Sequence, residues 1–425
     1  MPRLFRRRFH GLALLMVVGA ALCAQARPLL AQSKREKAKP AAGPAEFRSQ
    51  NFYVHTDLSK EEADELLERL ETMLAIISSY WARPNSGVIE CYVVKDLDNW
   101  PQGALPEEGL GHIQAGAGVT ITSTLSSGGV GVAKSVVYAV ADRGTPQHEA
   151  VHAYCGQTFG TTGPVWYSEG MAEMGQYWHK DEWSKKGAVF QSVHIHDVVL
   201  EYLRESEPKS LNEIVNGKEF TGDSWQNYAW RWALCHLLAN NPNYAAKFRP
   251  LGLALLKKEL TSFEAVYGDM AKEIMFEYRF FLKHLEQGYR ADLCSWDWNR
   301  KFRAPKGSAT VAAKIKAERG WQPSGVIVTE GVNYQYKAAG TWQTAQDGPA
   351  LSADGAESDG AGRLLGVVMN VEKFELGEPF ELGARGSFQA PADGQLYLRC
   401  RDKWGELADN NGTLTIKLKA AAKKQ

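Results

Sequence analysis

The sequence predicts an α+β domain with a helical subdomain, followed by a C-terminal all-β sandwich. At 425 residues the chain is too long for one ordinary hydrophobic core, so two folded domains are expected. Apolar residues at helical spacing dominate up to about residue 290, whereas short alternating runs separated by glycine, aspartate and asparagine follow residue 320. We therefore predict a first domain at 46–298, a linker at 299–319 and the sandwich at 320–420.

The N-terminal residues 1–26 have the composition of a secretory signal peptide. The basic segment MPRLFRRRFH precedes the apolar run GLALLMVVGAALCA, and residues 24–26 match the A-x-A pattern of a cleavage site. The apolar run is shorter than the roughly 20 residues of a membrane span, so no transmembrane anchor is expected after cleavage. Residues 27–45, rich in lysine, alanine and proline, are predicted to be a flexible leader. We expect a secreted or periplasmic protein.

Composition disfavours two classes of partner. The 49 Lys and Arg balance the 49 Asp and Glu, so the formal net charge is zero, and 44% of the residues are apolar. Such a balance argues against nucleic acid or an anionic membrane as the main partner. The cysteines left after signal cleavage are too scattered to define a disulfide framework: Cys91, Cys155, Cys235, Cys294 and Cys400.

Strand and helix signals alternate in the first domain. The run FYVHTDL at 52–58 predicts a strand, and residues 60–81 carry apolar side chains at helical spacing. Two more strands are predicted at 87–96 and 116–124, where β-branched residues are frequent. From about 186 to 290 the pattern is mostly helical, which defines the helical subdomain.

The segment GTPQHEAVHAYCG holds two histidines four residues apart, with a glutamate directly after the first. Thr145 as N-cap and Pro146 as first helical residue predict that a helix begins here. On a helix, His148 and His152 share one face and can reach one ion. Glu149 is offset by about 100°, so it could take the proton of a zinc-bound water, whose pKa the metal lowers toward ~7. The alternative is two unrelated helix histidines.

A second predicted helix, in GPVWYSEGMAEMGQYW, supplies carboxylates. Glu169 lies 17 residues beyond His152, after the glycine-rich turn GQTFGTTGP that can reverse the chain. A helix returning beside the first would bring in Glu169 as the third protein ligand and leave the fourth position for water. Glu173, one turn later, could accept a hydrogen bond from the non-ligating nitrogen of one histidine.

The HExxH motif followed by W-x-x-E-G-x-A-E resembles the gluzincin metallopeptidases, in particular the peptidase MA-like family of exported bacterial proteins. The segments SQNFYVHTDLS and YAWRWALCHLL are also similar to that family, so the resemblance covers roughly residues 46–290. It implies a zincin-like fold with a cleft between a small sheet and a helical subdomain, and Glu149 as general base. Residues 116–124 would form the edge strand that lines the cleft and pairs with an extended peptide. The implied zinc ligands are His148, His152 and Glu169.

Peptide hydrolysis also needs a donor that stabilises the developing oxyanion. Tyr228 in SWQNYAW is the first candidate, because related zincins often supply a tyrosine from a helix after the third ligand, and Tyr167 is the second. The alternative for each is an aromatic side chain packed in a core.

Other histidines are interpreted as surface residues. His194 and His196 form an H-x-H pair that could bind a metal from one face of a strand, but nothing nearby in the sequence completes such a site. The same interpretation applies to His112 and His179.

Near the C-terminus, RDKWGELADNNGTL packs oxygen-bearing side chains between two strand-like runs: Asp402, Glu406, Asp409, Asn410 and Asn411. Clustered oxygens suit a hard cation such as Ca²⁺, although the spacing is not that of an EF-hand. The same residues are also typical of a polar hairpin turn. Composition alone favours the turn.

The wider module resembles the PA-I galactophilic lectin family, a calcium-dependent β-sandwich, over 321–418. The resemblance implies side-chain calcium ligands at Asp402, Asp409 and Asn410, and a backbone carbonyl ligand at Glu406. A family loop histidine is absent and an aspartate replaces the usual asparagine at 409, so galactose specificity is not expected. A role in substrate or surface targeting, with carbohydrate as a candidate partner, is the interpretation.

Together these patterns predict an exported zinc peptidase that acts on peptides or proteins. One alternative is a carbohydrate- or surface-binding protein with a degenerate zincin domain, and another is an amidase that cleaves cell-wall peptide bonds. The intact Glu149 favours an enzyme, because zinc kept only for structure needs no base beside it.

Overall fold

The computed structural model describes residues 44–127, 130–177, 195–217, 224–307 and 309–421, with the backbone alone at 125–127 and 130–132. The predicted signal peptide, nearly all of the predicted leader, His179 and His194 lie outside these residues. The described chain is of the α+β class, with a β-rich C-terminal region.

The N-terminal region contains a mixed five-stranded sheet with the strand order β1-β2-β3-β5-β4. Its strands are β1 (Ala45–Arg48), β2 (Phe52–Thr56), β3 (Ile89–Val94), β4 (Gly118–Ser127) and β5 (Val130–Val140). β2, β3 and β5 are parallel, whereas β1 and β4 pair antiparallel with their neighbours. Buried residues alternate along β2 and β3, as expected for strands with one face on a core. β5 was not predicted from the sequence, although it pairs with β4 along its length.

The first long helix, α1 (Lys60–Trp81), begins with a complete capping box. The Ser59 hydroxyl accepts the Glu62 N–H, while the Glu62 carboxylate accepts the Ser59 N–H. Its apolar stripe is buried, as predicted from the spacing: Leu66, Leu67, Leu70, Met73, Leu74 and Ile77.

Nine further helices are described in the chain. They are α2 (Glu107–Gln114), α3 (Thr145–Phe159), α4 (Val165–Tyr177), α5 (Asp197–Glu205), α6 (Leu211–Asn216), α7 (Trp225–Asn240), α8 (Ala245–Leu256), α9 (Phe263–Tyr267) and α10 (Ala271–His284). α3 packs on the sheet through β4 and β5, α4 packs against α3, and α7 packs against α4. None of the described helices is both long and apolar enough to cross a bilayer.

The C-terminal region is built from two sheets with their own apolar core. In one sheet the order is β11-β10-β14-β7, with β12 beside β10; in the other it is β13-β8-β15-β6, with β9 beside β15. The strands are β6 (Val311–Lys316), β7 (Gln322–Val328), β8 (Asn333–Ala339), β9 (Trp342–Gln343), β10 (Leu364–Asn370), β11 (Glu375–Leu376), β12 (Phe380–Glu381), β13 (Arg385–Gln389), β14 (Gly394–Cys400) and β15 (Asn411–Ala420).

β6 lies inside the segment 299–319 that was predicted to be a linker. Val311, Ala313 and Ile315 are buried and alternate with exposed residues, and the strand pairs with β15. The β-rich C-terminal region therefore extends N-terminal to residue 320. An alanine- and lysine-rich sequence hid this alternation, because neither residue type favours strands.

The two regions share a third apolar cluster and belong to one compact unit, residues 43–425. In the cluster, Phe276 and Phe280 of α10 pack with Trp296, Trp321 and Tyr397. Beneath it, the buried Glu277 carboxylate accepts hydrogen bonds from five donors: Asn241 Nδ2, Asn243 Nδ2, Tyr244 OH, Trp296 N and Trp298 Nε1. Each described cysteine is a buried, free thiol: Cys91, Cys155, Cys235, Cys294 and Cys400.

Candidate metal centre

Helix α3 carries the two histidines and the glutamate of the HExxH motif. It begins at Thr145 with Gly144 as N-cap, one residue earlier than predicted. The reason is Asp142, whose Oδ1 accepts the Gly144 and Thr145 N–H groups and whose Oδ2 accepts the Thr145 hydroxyl. Pro146 lies in the first turn, where its missing N–H costs nothing.

Helix α4 returns beside α3 and brings its carboxylates to the same place. Gly170 allows the close packing of α4 on α7, because a Cβ at this position would lie 2.4 Å from Cys235 Sγ and 2.7 Å from the Arg231 carbonyl oxygen. Glu169 and Glu173 are one turn apart and both are buried, with Glu169 only 1% exposed.

Three ligand atoms converge at one point. Nε2 of His148 lies 3.2 Å from Nε2 of His152, and these two nitrogens lie 3.3 and 3.4 Å from Oε2 of Glu169. Four-coordinate zinc with bonds of about 2.0–2.1 Å sets its ligand atoms about 3.3–3.4 Å apart. Oε1 of Glu169 is buried without a hydrogen-bond partner. The donor set and its spacing therefore fit a small divalent cation.

The outward-facing nitrogens of both histidines have partners. Oε1 of Glu173 lies 3.1 Å from Nδ1 of His148, and the Ser168 hydroxyl lies 3.3 Å from Nδ1 of His152. These contacts orient the rings so that both Nε2 atoms point at the same place. The contact of Glu173 with a histidine was expected from the sequence, whereas that of Ser168 was not, since the only signal for Ser168 is its position beside Glu169.

Electrostatics make the cluster a site for positive charge. Burial lowers the pKa of His148, but hydrogen bonds with Glu169 and Glu173, and the charge of Glu149, raise it well above 6.5. Burial raises the pKa of Glu169, yet the hydrogen bonds from His148 and His152 hold it far below its usual 4.5. The buried carboxylates beside His148 therefore favour a positive charge at this point, which a bound cation would supply.

A cleft of about 890 Å³ opens above these residues. One wall is the start of β4, at the edge of the sheet as predicted, and the opposite wall comes from α7. Apart from the HExxH and α4 carboxylates, its described lining combines apolar residues, among them Ala117 and Val119, with polar and aromatic residues that include Thr120, Thr122, Ser224, Trp225 and Tyr228. His112 lies exposed at the rim.

The two tyrosine candidates lie in different surroundings. The Tyr228 ring lines the cleft, with its centroid 5.9 Å from that of His148. Tyr167 is 1% exposed, and its hydroxyl accepts a hydrogen bond from Trp81 Nε1 at 3.0 Å in the core. The prediction for Tyr167 as an oxyanion donor is wrong, because two residues before Glu169 a helix points its side chain to the opposite face.

The C-terminal turn is arranged differently from the His148 cluster. It contains a short 3-10 helix, Trp404–Asp409, in which Glu406 and Asp409 are exposed. The Glu406 carboxylate forms an ion pair with Lys403 Nζ at 2.7 Å. Among the described residues, these acidic side chains do not converge as the His148 cluster does. However, Oδ2 of Asp402 and Oδ1 of Asn410 are both buried without a hydrogen-bond partner. Burial also raises the pKa of Asp402.

No protein-family model matches the chain, and no curated protein matches it. The solved structures that are similar to parts of it include the following two. A structure described as the EclA N-terminal domain, a PllA-like lectin, is 19% identical with a TM-score of 0.22, over 26% of this chain and 95% of that one. An IMPa metallopeptidase in complex with T-antigen is 9% identical with a TM-score of 0.17, over 87% of this chain. The match spans about half, 47%, of the metallopeptidase chain. Neither likeness establishes an activity.

Proposed function

We propose that the protein is an exported, zinc-dependent peptidase of the gluzincin type with a zincin-like catalytic domain. The observation that carries the proposal is the triangle of His148 Nε2, His152 Nε2 and Glu169 Oε2, with edges of 3.2–3.4 Å, at the base of a cleft. Glu149 lines the same cleft and is not one of the three ligands. The N-terminal signal-like segment supports the export part of the proposal.

Each residue has a separate task in this proposal. Zinc held by the three ligands would supply Lewis-acid activation of a water molecule and of the substrate carbonyl. Glu149 takes the proton of the attacking water and passes it to the leaving amine nitrogen. The Tyr228 hydroxyl donates a hydrogen bond to the carbonyl oxygen as negative charge develops there. Glu173 and Ser168 keep the histidine rings in orientation.

An extended peptide is the substrate class that the cleft fits. β4 pairs with β5 on one side, and among the described residues no strand pairs with its other side. A peptide lying in the cleft could add to this edge through main-chain hydrogen bonds.

The test is metal content together with turnover. We expect one zinc per chain by elemental analysis, cleavage of casein by the purified 45–425 chain, loss of cleavage on chelation and recovery with added zinc. Zinc binding without turnover on casein, a peptide library or cell-wall peptides would instead support the degenerate, surface-binding alternative. Cleavage confined to cell-wall peptides would support the amidase.

We also propose that the C-terminal sandwich binds Ca²⁺ at Asp402, Asp409, Asn410 and the Glu406 carbonyl, and targets the enzyme to a substrate or surface carbohydrate. The two buried oxygens without partners, on Asp402 and Asn410, support this site, because an unpaired buried carboxylate oxygen is costly.

Calorimetric titration of the zinc-loaded protein with CaCl₂ tests the second site. We expect one Ca²⁺ per chain, and at least about tenfold weaker binding in Asp402→Asn, since affinity depends on ligand charge. Glu406→Gln is the matched control and should bind normally, because Glu406 would contribute its carbonyl while its side chain pairs with Lys403. Equal loss in both variants, or no heat in the wild type, would contradict the proposal.

A further inference from the structure

The edge strand β4 contacts the proposed base directly. The Thr120 hydroxyl lies 2.8 Å from Oε2 of Glu149 and 2.8 Å from the Glu149 carbonyl oxygen. Both oxygens are acceptors, so the single hydroxyl proton is donated to one or shared by both. When this proton is donated to Oε2, alone or shared with the carbonyl oxygen, it ties the Glu149 carboxylate to β4 and restrains rotation about its side-chain bonds.

The two carboxylate oxygens of Glu149 are therefore not equivalent. Oε2 is the one within reach of Thr120, and within the described residues Oε1 accepts no hydrogen bond from the protein. Gly118 of β4 also lies close to this carboxylate. A Cβ on Gly118 would lie 3.0 Å from Oε1, 2.7 Å from Glu149 Cγ and 2.6 Å from Thr145 Cγ2. Any side chain at 118 would displace Glu149, Thr145 or both.

We infer that β4 orients the base: Thr120 is a positioning residue that holds Oε2 of Glu149, which leaves Oε1 to receive the proton, and Gly118 leaves the space that this orientation needs. The inference rests on the proposed function, because it gives the two oxygens of a general base different roles: Oε2 accepts the Thr120 hydrogen bond and Oε1 accepts the proton. It also ties the strand that is proposed to bind the peptide to the residue proposed to take the proton. Substrate and base are thus held by one element.

Orientation matters because a general base must lie within about 2.6–3.2 Å of the proton that it takes. A glutamate has three rotatable side-chain bonds, and small misplacements at a reacting centre cost large factors in rate. A hydrogen bond from a hydroxyl to a carboxylate is charge-assisted, so one such bond suffices to favour one orientation of the carboxylate over another.

Thr120→Val and Thr120→Ser separate this role from a purely structural one. Valine keeps the shape and removes the hydroxyl, whereas serine keeps the hydroxyl and removes a methyl group. We expect Thr120→Val to keep one zinc per chain and a similar KM but to lose about 10–100-fold in kcat. Thr120→Ser should recover to within about threefold of wild type, because the donor is restored.

Gly118→Ala should also lower kcat at least about tenfold with zinc retained, because its Cβ would displace the carboxylate. Gly87→Ala is the matched control and should not change kcat, since nothing lies within 4 Å of a Cβ at that position. Crystal structures of the wild type and Thr120→Val give a readout that does not depend on activity. Glu149 should leave its position beside residue 120 in the valine variant only.

Two results would overturn the inference: wild-type kcat in Thr120→Val, or a serine variant as slow as the valine variant. An unmoved Glu149 in the Thr120→Val crystal structure would overturn it as well. If the zinc-loaded wild type cleaved no peptide at all, the proposed function would fail, and the crystal structures would still decide whether Thr120 holds Glu149.

Discussion

Replacement of Glu149 by glutamine is expected to lower kcat by about 10²–10⁴-fold while one zinc stays bound, because the change removes only a general base. Glutamine has the shape of glutamate and still offers an oxygen to the Thr120 hydroxyl, which lies 2.8 Å from Oε2 in the wild type. It cannot, however, accept a proton from water near neutral pH. KM should change little, since Glu149 is not proposed to bind the ground state of the substrate.

Steady-state kinetics on a casein-derived peptide and elemental analysis of the same preparation check this result. Glu61→Gln, at an exposed glutamate in the first turn of α1, is the control for the substitution itself and should match the wild type. If Glu149→Gln cleaved as fast as the wild type, Glu149 would not be the base. Loss of zinc in this variant would instead mean that Glu149 binds the zinc or holds one of its ligands in place.

The convergence of His148, His152 and Glu169 could be predicted from the sequence because it depends mainly on local geometry. A four-residue spacing puts His148 and His152 on one face of any helix, and a glycine-rich turn makes a returning helix with Glu169 reasonable. Thr120 and Ser168 could not be found in this way. Thr120 is 29 residues from Glu149, and only the position of β4 in the sheet brings them together.

Side-chain direction explains the difference between the two tyrosine candidates. Tyr167 is close to Glu169 in sequence, but the helix turns its ring into the core against Trp81. Tyr228 is remote in sequence and lies on α7, which packs on α4 and so faces the cleft. The direction of the side chain on its helix, rather than its distance from Glu169 in sequence, therefore decides which tyrosine reaches the cleft.

The C-terminal region shows a similar limit at the level of strands. The alternating runs near 327 and 397 were readable as strands because they combine β-branched or aromatic residues with neighbouring glycines. β6 was not, since the segment Val311–Lys316 contains two alanines and two lysines, and neither residue type favours strands. β6 forms because it pairs with β15, about 100 residues later, and this long-range contact cannot be inferred from the composition of β6.

Replacement of Glu169 by glutamine is expected to abolish turnover and to weaken zinc binding by more than about 100-fold. Loss of a residue that only hydrogen-bonds a zinc ligand costs about 10–100-fold in zinc affinity, and loss of a ligand should cost more. The wild-type carboxylate brings Oε2 to within 3.4 Å of both imidazole nitrogens and supplies the negative charge that offsets a dication. Glutamine keeps the volume of a side chain that is 1% exposed, so the fold should survive. The neutral amide loses most of the attraction for the ion.

Competition with a fluorescent zinc chelator measures the affinity, and Glu173→Gln is the matched control on the same helix. The control makes the same chemical change one turn away, where Oε1 of Glu173 touches the outward Nδ1 of His148 at 3.1 Å. It should lose only about 10–100-fold in affinity, with turnover restored by excess zinc. Equal losses in the two variants would mean that Glu169 is no ligand. Since His148 and His152 alone leave two positions open, a normal affinity in Glu169→Gln would point to a different third ligand and remove the basis of the peptidase mechanism.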